Sequence, residues 1–149
     1  MRLYVGSDHA GFALKEHVRA HLEEQGHEVV DVGTHSEEPV DYPDYARQVG
    51  EAVAAGDADY GVLICGSGLG MAIAANKVNG VRAVQVTDSE TARMSRLHND
   101  ANVVTLPGRS VGAEAADAIV DTFLTTAFEG GRHQRRVDKI SAIERSQPS

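Results

Sequence analysis

The chain alternates short apolar runs with longer stretches in which apolar residues return every three or four positions. Leu3-Tyr4-Val5 predicts a first strand, and the polar, glycine-bounded segment Gly6-Ser7-Asp8-His9-Ala10-Gly11 a loop after it. Over residues 12–25, Leu14, Val18 and Leu22 fall four apart, which predicts an amphipathic helix stopped by Gly26. Residues 28–32 predict a second strand ended by Gly33. A polar loop over 34–41 leads to Tyr42-Pro43, which starts a helix or lines a pocket, and a helix follows over about 44–55, closed at Gly56. Further strands are predicted at 61–64, 81–86 and 101–106, and helices at 71–75, 88–97, 111–128 and 132–144, with Asp88 as an N-cap and Gly130-Gly131 as a break. Strands alternating with helices indicate an α/β protein whose parallel sheet is covered on both faces.

The densest stretch is YGVLICGSGLGMAIAANK, residues 60–77. The run Gly61 to Ile64 has the continuous apolar character of a strand buried on both faces. Gly66, Gly68 and Gly70 follow at alternate positions, separated by Ser67 and Leu69, and a helix-favouring segment begins at Met71. A strand, a glycine turn and a helix start aim several backbone N–H groups at one point, which suits an anion.

Cys65, the single cysteine, ends that strand. Two readings of it stand side by side. A strand cysteine taken alone is most often a small, inert core residue. A thiol beside a helix N-terminus is otherwise favoured in its reactive thiolate form, and the carboxyl end of a strand is where open α/β sheets bind ligands. Position favours the thiolate; the turn alone does not decide.

Composition narrows the setting. At 149 residues, 42% hydrophobic and 24% charged, the chain suits one domain with a core of useful size, spanning 1–149 with 146–149 as a loose tail. A net charge of −8 gives no general attraction to nucleic acid or anionic membranes. One cysteine excludes an internal disulfide framework and fits a reducing compartment. Neither a signal peptide nor an apolar run near 18 residues is found, so a soluble cytoplasmic protein is expected.

Other residues carry chemistry by type and place. Asp8 and His9 follow the first strand, on the sheet edge that also carries Cys65, where a carboxylate and an imidazole suit a sugar and its phosphate; Asp8 as helix cap with a surface histidine fits equally. His98, with Asn99, ends a helix and suits general acid work, or it is a cation at a helix C-terminus, the commoner case for such a histidine alone. Arg132, His133, Arg135, Arg136 and Lys139 form a basic cluster, and Arg132 and Arg136, four apart, share a face that can fork a phosphate. Val137, Ile140 and Ile143 give the same terminal helix an apolar stripe, so it reads as an arm that packs on a partner subunit and lends it arginines. His17 and His21 have zinc-ligand spacing, but they lie on the polar side of an early helix, where a solvated face is the better reading. Met71 replaces the residue that a nucleotide-hydrolase phosphate loop, a dinucleotide fingerprint or a cysteine phosphatase would need after the glycines. Asp88 lies near the distance of a ribose-binding acid, so the dinucleotide reading is weakened and not removed.

The ordered set G-S-D-H-A-G-F, D-Y-P at 41–43, C-G-S-G-L-G-M-A-I-A-A-N-K at 65–77, R-L-H-N-D-A-N at 96–102 and R-H-Q-R-R at 132–136 spans nearly the whole chain. It resembles the ribose-5-phosphate isomerase B family of sugar-phosphate isomerases, which includes galactose- and allose-6-phosphate isomerases. The resemblance implies a Rossmann-like three-layer αβα sandwich with a five-stranded parallel sheet, a homodimer or dimer of dimers with a site shared between subunits, and aldose–ketose isomerisation with neither metal nor cofactor. By motif position it implies Cys65 as the base between C1 and C2 and His98 as the acid that opens the sugar ring. Gly66, Ser67, Gly68, Leu69 and Gly70 would form the anion hole, Asp8, His9 and Asn99 would bind sugar and phosphate, and Arg109, Arg132 and Arg136 would complete the phosphate grip. Relatives with a glutamate at the place of Met71 are a different branch; this sequence follows the cysteine branch. The same chemistry on a tetrose or hexose phosphate, and a non-catalytic sugar-phosphate or nucleotide sensor, are the alternatives.

Overall fold

A computed structural model describes residues 1–148; Ser149, the end of the expected loose tail, lies outside the described residues. Strands and helices alternate as the pattern predicts: β1 (Arg2–Ser7), α1 (Phe12–Glu24), β2 (Glu28–Asp31), α2 (Tyr42–Ala54), β3 (Tyr60–Cys65), α3 (Leu69–Ala75), β4 (Ala83–Gln85), α4 (Ser89–Asn99), β5 (Val103–Pro107), α5 (Ala113–Thr125) and α6 (Arg132–Arg145). The five strands form one parallel sheet in the order β2-β1-β3-β5-β4.

Two cores flank it. Leu3, Val5, Val62, Ile64, Val104 and Leu106 pack with α1, α4 and α5 on one face. Leu63, Cys65, Ala83 and Val103 pack with α2 and α3 on the other. The loop after β1 therefore turns towards α1 on the first face, while the loop after the adjacent β3 turns towards α3 on the second. Neighbouring strands whose connections diverge leave a crevice at their carboxyl ends. That crevice is the architectural origin of the site.

Helix ends obey local chemistry. Asp88 Oδ1 accepts the Thr91 N–H at 2.7 Å, as its N-cap position predicts. Asp8 does not cap α1, whose N-cap is Gly11 with no side-chain bond; its Oδ1 instead accepts the Gly11 N–H at 3.0 Å and folds the loop. Tyr42 and Pro43 belong to the first turn of α2, where proline lacks only an N–H that the helix would leave unpaired. His17 and His21 lie on a face that is partly solvated, as expected, His17 being exposed and His21 half-buried, and both also meet a second helix. His17 Nε2 lies 2.9 Å from Asp117 and His21 Nε2 2.9 Å from Asp121, joining α1 to α5. Arg96 is buried with its guanidinium over the Tyr60 and Phe123 rings and donates to the Ala101 and Thr126 carbonyls and to Asp100. Among the described residues, no helix is long and apolar enough to cross a membrane.

Candidate active site

Asp8, His9 and Ala10 from the loop after β1, Cys65, Gly66, Ser67 and Gly70 from β3 and its loop, Tyr42 from the start of α2, and Arg109 from the loop after β5 line one hollow of about 300 Å³. Three connections hold these segments in register. Asp8 N–H donates to the Ile64 carbonyl at 3.2 Å, Gly108 N–H to that of Cys65 at 2.8 Å, and Arg109 N–H to that of Gly66 at 3.1 Å.

The glycine loop is tied down by its carbonyls. Thr105 Oγ1 donates to the Gly68 carbonyl at 2.7 Å and Gln85 Nε2 to that of Ser67 at 3.1 Å. Ser67 Oγ accepts the Leu69 N–H. Among the described residues, the N–H groups of Ser67, Gly68 and Gly70 have no protein acceptor. Free N–H groups at the start of a helix make an anion cradle. The glycines serve different ends. Gly68 takes φ +75°, a left-handed conformation that a side chain strains. A Cβ at Gly66 would stand 2.9 Å from Arg109 Cζ, and one at Gly70 would stand 2.5 Å from the Tyr42 ring. Those two positions stay bare so that the guanidinium and the phenol can close over the loop. Leu69 is 56% exposed and turned away from the hollow.

Cys65 combines both sequence readings: it is 4% exposed and packs in the second core, yet it forms part of the hollow's wall beside the cradle and Arg109. Its surroundings are neither sealed nor remote from a guanidinium.

His98, Asn99, Arg132 and Arg136 are not in this hollow. After β4, α4 runs back across the first face, so His98 ends near the start of β5, whereas Cys65 pairs with Pro107 at its far end. Four residue-to-residue steps of strand, from Val103 to Pro107, already separate those ends by roughly 13 Å. His98 stacks on His133 of α6, with centroids 4.3 Å apart and planes 15° from parallel. His133 is buried, and its Nε2 has no hydrogen-bond partner among the described residues. Burial first, and then the charges of His98, Arg132 and Arg136, push its pKa below the ordinary 6.5, with Glu129 opposing. His98, Glu129 and His133 offer ligand atoms within 4.8 Å of one another. Nearly parallel rings do not converge their in-plane lone pairs, however, and two arginines beside them oppose a cation. Next to it, Asn99 lines a second, apolar hollow with Ile140 and Ile143, which are 42% and 61% exposed. Val137 is buried against its own chain, so only the outer part of the predicted stripe faces outwards.

Sequence reasoning did not single out Val40, whose N–H meets His9 Nδ1 at 3.2 Å. The two are 31 residues apart, and no local pattern signals the contact.

The family model described as Ribose/Galactose Isomerase matches residues 3–140. Ribose-5-phosphate isomerase B of Escherichia coli is 53% identical over 143 residues, covering 96% of each chain. A crystal structure of a Thermotoga maritima ribose 5-phosphate isomerase superposes with a TM-score of 0.93 at 53% identity, covering 95% of this chain and 97% of that one. The Mycoplasma genitalium ribose-5-phosphate isomerase B with bound ribulose-5-phosphate gives 0.94 at 44% identity, covering 98% and 97%.

Proposed function

The chain belongs to the ribose/galactose isomerase family, and on that footing we propose that it interconverts ribose 5-phosphate and ribulose 5-phosphate through an enediolate. The observation that carries the proposal is the single hollow in which Cys65, the N–H cradle and Arg109 meet.

In the aldose-to-ketose direction, the Cys65 thiolate removes the proton from C2 of the open-chain sugar. Electrons shift onto O1, and the N–H groups of Ser67, Gly68 and Gly70 stabilise the developing oxyanion, each such donor being worth about 3–4 kcal/mol in the transition state. The thiol returns the proton to C1, while the O2 proton passes to O1, so the net change is one hydrogen from C2 to C1 and one from O2 to O1. Asp8 and His9 bind the sugar and phosphate oxygens, and Arg109 closes over the loop. The residues present supply base, donors and charge without a metal or cofactor. A thiol base works only while reduced, which fits action in the cytoplasm.

The remaining roles fall to His98, Asn99, Arg132 and Arg136, which lie at the other end of the sheet. We assign them to the partner subunit of a homodimer: His98 opens the ring by proton transfer, Asn99 holds the sugar, and the two arginines grip the phosphate. The exposed Ile140 and Ile143 beside them support a surface that a second copy covers.

The test is Cys65→Ala assayed against phosphorylated tetroses, pentoses and hexoses by kcat/KM. Turnover is expected to vanish while folding and phosphate binding persist, with ribose 5-phosphate preferred by the wild type. An active alanine variant removes Cys65 as the base, and a preference for a tetrose or hexose phosphate replaces the substrate.

A further inference from the structure

His9 sits in the hollow with one ring nitrogen already committed. Its Nδ1 lies 3.2 Å from the backbone nitrogen of Val40, in the loop between β2 and α2. A backbone N–H only donates, so Nδ1 must present a lone pair, and the proton of the neutral ring then resides on Nε2. No protein group among the described residues bonds to Nε2, and His9 lines the hollow beside Asp8, Cys65 and Arg109. The loop that carries Val40 is itself anchored to β1: Thr34 N–H donates to the Ser7 carbonyl at 2.8 Å, and Ser7 N–H to the Gly33 carbonyl at 2.7 Å. At its far end Asp41 is the N-cap of α2. The donor to His9 is thus held at both ends of its loop.

We propose that the Val40 N–H is a positioning group that locks His9 as the Nε2–H tautomer, so that the ring donates from Nε2 to an oxygen of the phosphorylated sugar. This rests on the isomerase reading for its ligand, and on the Val40–His9 geometry alone for its tautomer. A freely turning imidazole would offer a donor or an acceptor to the ligand. The locked one offers only a donor, which matches an anionic or hydroxyl oxygen and leaves Asp8 as the acceptor for sugar hydroxyls.

Ring ¹⁵N spectra of the substrate-free wild type near neutral pH, assigned with a His9→Gln variant, read the tautomer directly. Nδ1 is expected as the unprotonated nitrogen and Nε2 as the protonated one; the reverse overturns the proposal. Val40→Pro replaces the donor N–H with a ring methylene that cannot donate, and it is expected to yield a tautomer mixture. If that variant fails to fold, the wild-type spectrum still decides. The ligand half is read by KM for ribose 5-phosphate. Glutamine can place an N–H where Nε2 stands and asparagine only where Nδ1 stands, so His9→Asn should raise KM roughly tenfold or more above His9→Gln. Equal or reversed KM values overturn the donor role. A wild-type chain that turned over no sugar phosphate would defeat the isomerase reading while leaving the tautomer standing.

Discussion

The guanidinium of Arg109 lies over Gly66 so closely that a Cβ on that glycine would stand 2.9 Å from Cζ and 3.0 Å from Nη1. The Arg109 N–H also bonds to the Gly66 carbonyl, so the arginine is fixed to the glycine loop at its backbone and its tip. Gly66→Ala therefore moves the guanidinium by a fraction of an ångström or more without straining the backbone, since φ at Gly66 is not left-handed. Misplacement on that scale is expected to lower kcat/KM by roughly 10–100-fold, with thermal stability nearly unchanged. Steady-state kinetics beside a melting curve checks both halves.

If Cys65 and His98 serve the same site from different subunits, two dead variants should repair each other. Cys65→Ala and His98→Asn homodimers are each expected to be inactive. After unfolding, mixing and refolding, half the dimers are mixed and each has one intact site, so about a quarter of the wild-type rate should return. No recovery in the mixture, with dimers verified by light scattering, would place both residues' roles in one chain or remove one of them.

Arg96 donates to two backbone carbonyls and to Asp100 from a position 4% exposed. Arg96→Met keeps an apolar stem beside Tyr60 and Phe123 but leaves those acceptors unpaired. A loss of about 2–4 kcal/mol is expected, which for a chain of this length lowers Tm by the order of 10 °C. Calorimetry measures it.

Stability should fall on mild acidification. The folded-state pKa of His133 lies below 6.5, first through burial and then through His98, Arg132 and Arg136; that of His27 is lowered by burial, then by the N-terminal ammonium. Between the depressed and ordinary values the unfolded chain holds more protons, so stability rises with pH there. The contribution is complete above about 6.5 and is lost as pH falls through the folded values. Urea midpoints at pH 7.5 and 5.5 are expected to differ, and His133→Asn should narrow the difference. An unchanged gap in that variant would rule His133 out as a source.

The parallel α/β architecture was legible in the residues because short apolar runs and four-residue spacings alternate without interruption, and because Gly26 and Asp88 mark helix ends by local chemistry. The cradle was legible for the same reason: Cys65 through Gly70 is contiguous, and a strand, turn and helix start in sequence aim their N–H groups together wherever they occur. Local chemistry did not reveal that His17 and His21 meet Asp117 and Asp121, or that Val40 reaches His9. Each of those pairings joins residues brought together only when the sheet closes, and spacing along the chain carries no information about them. The sheet order likewise decided what the motifs left open. It put Asp8, Cys65 and Arg109 at one edge because three neighbouring parallel strands end there, and it sent His98 to the other because the helix after β4 must run back antiparallel to the strand it follows.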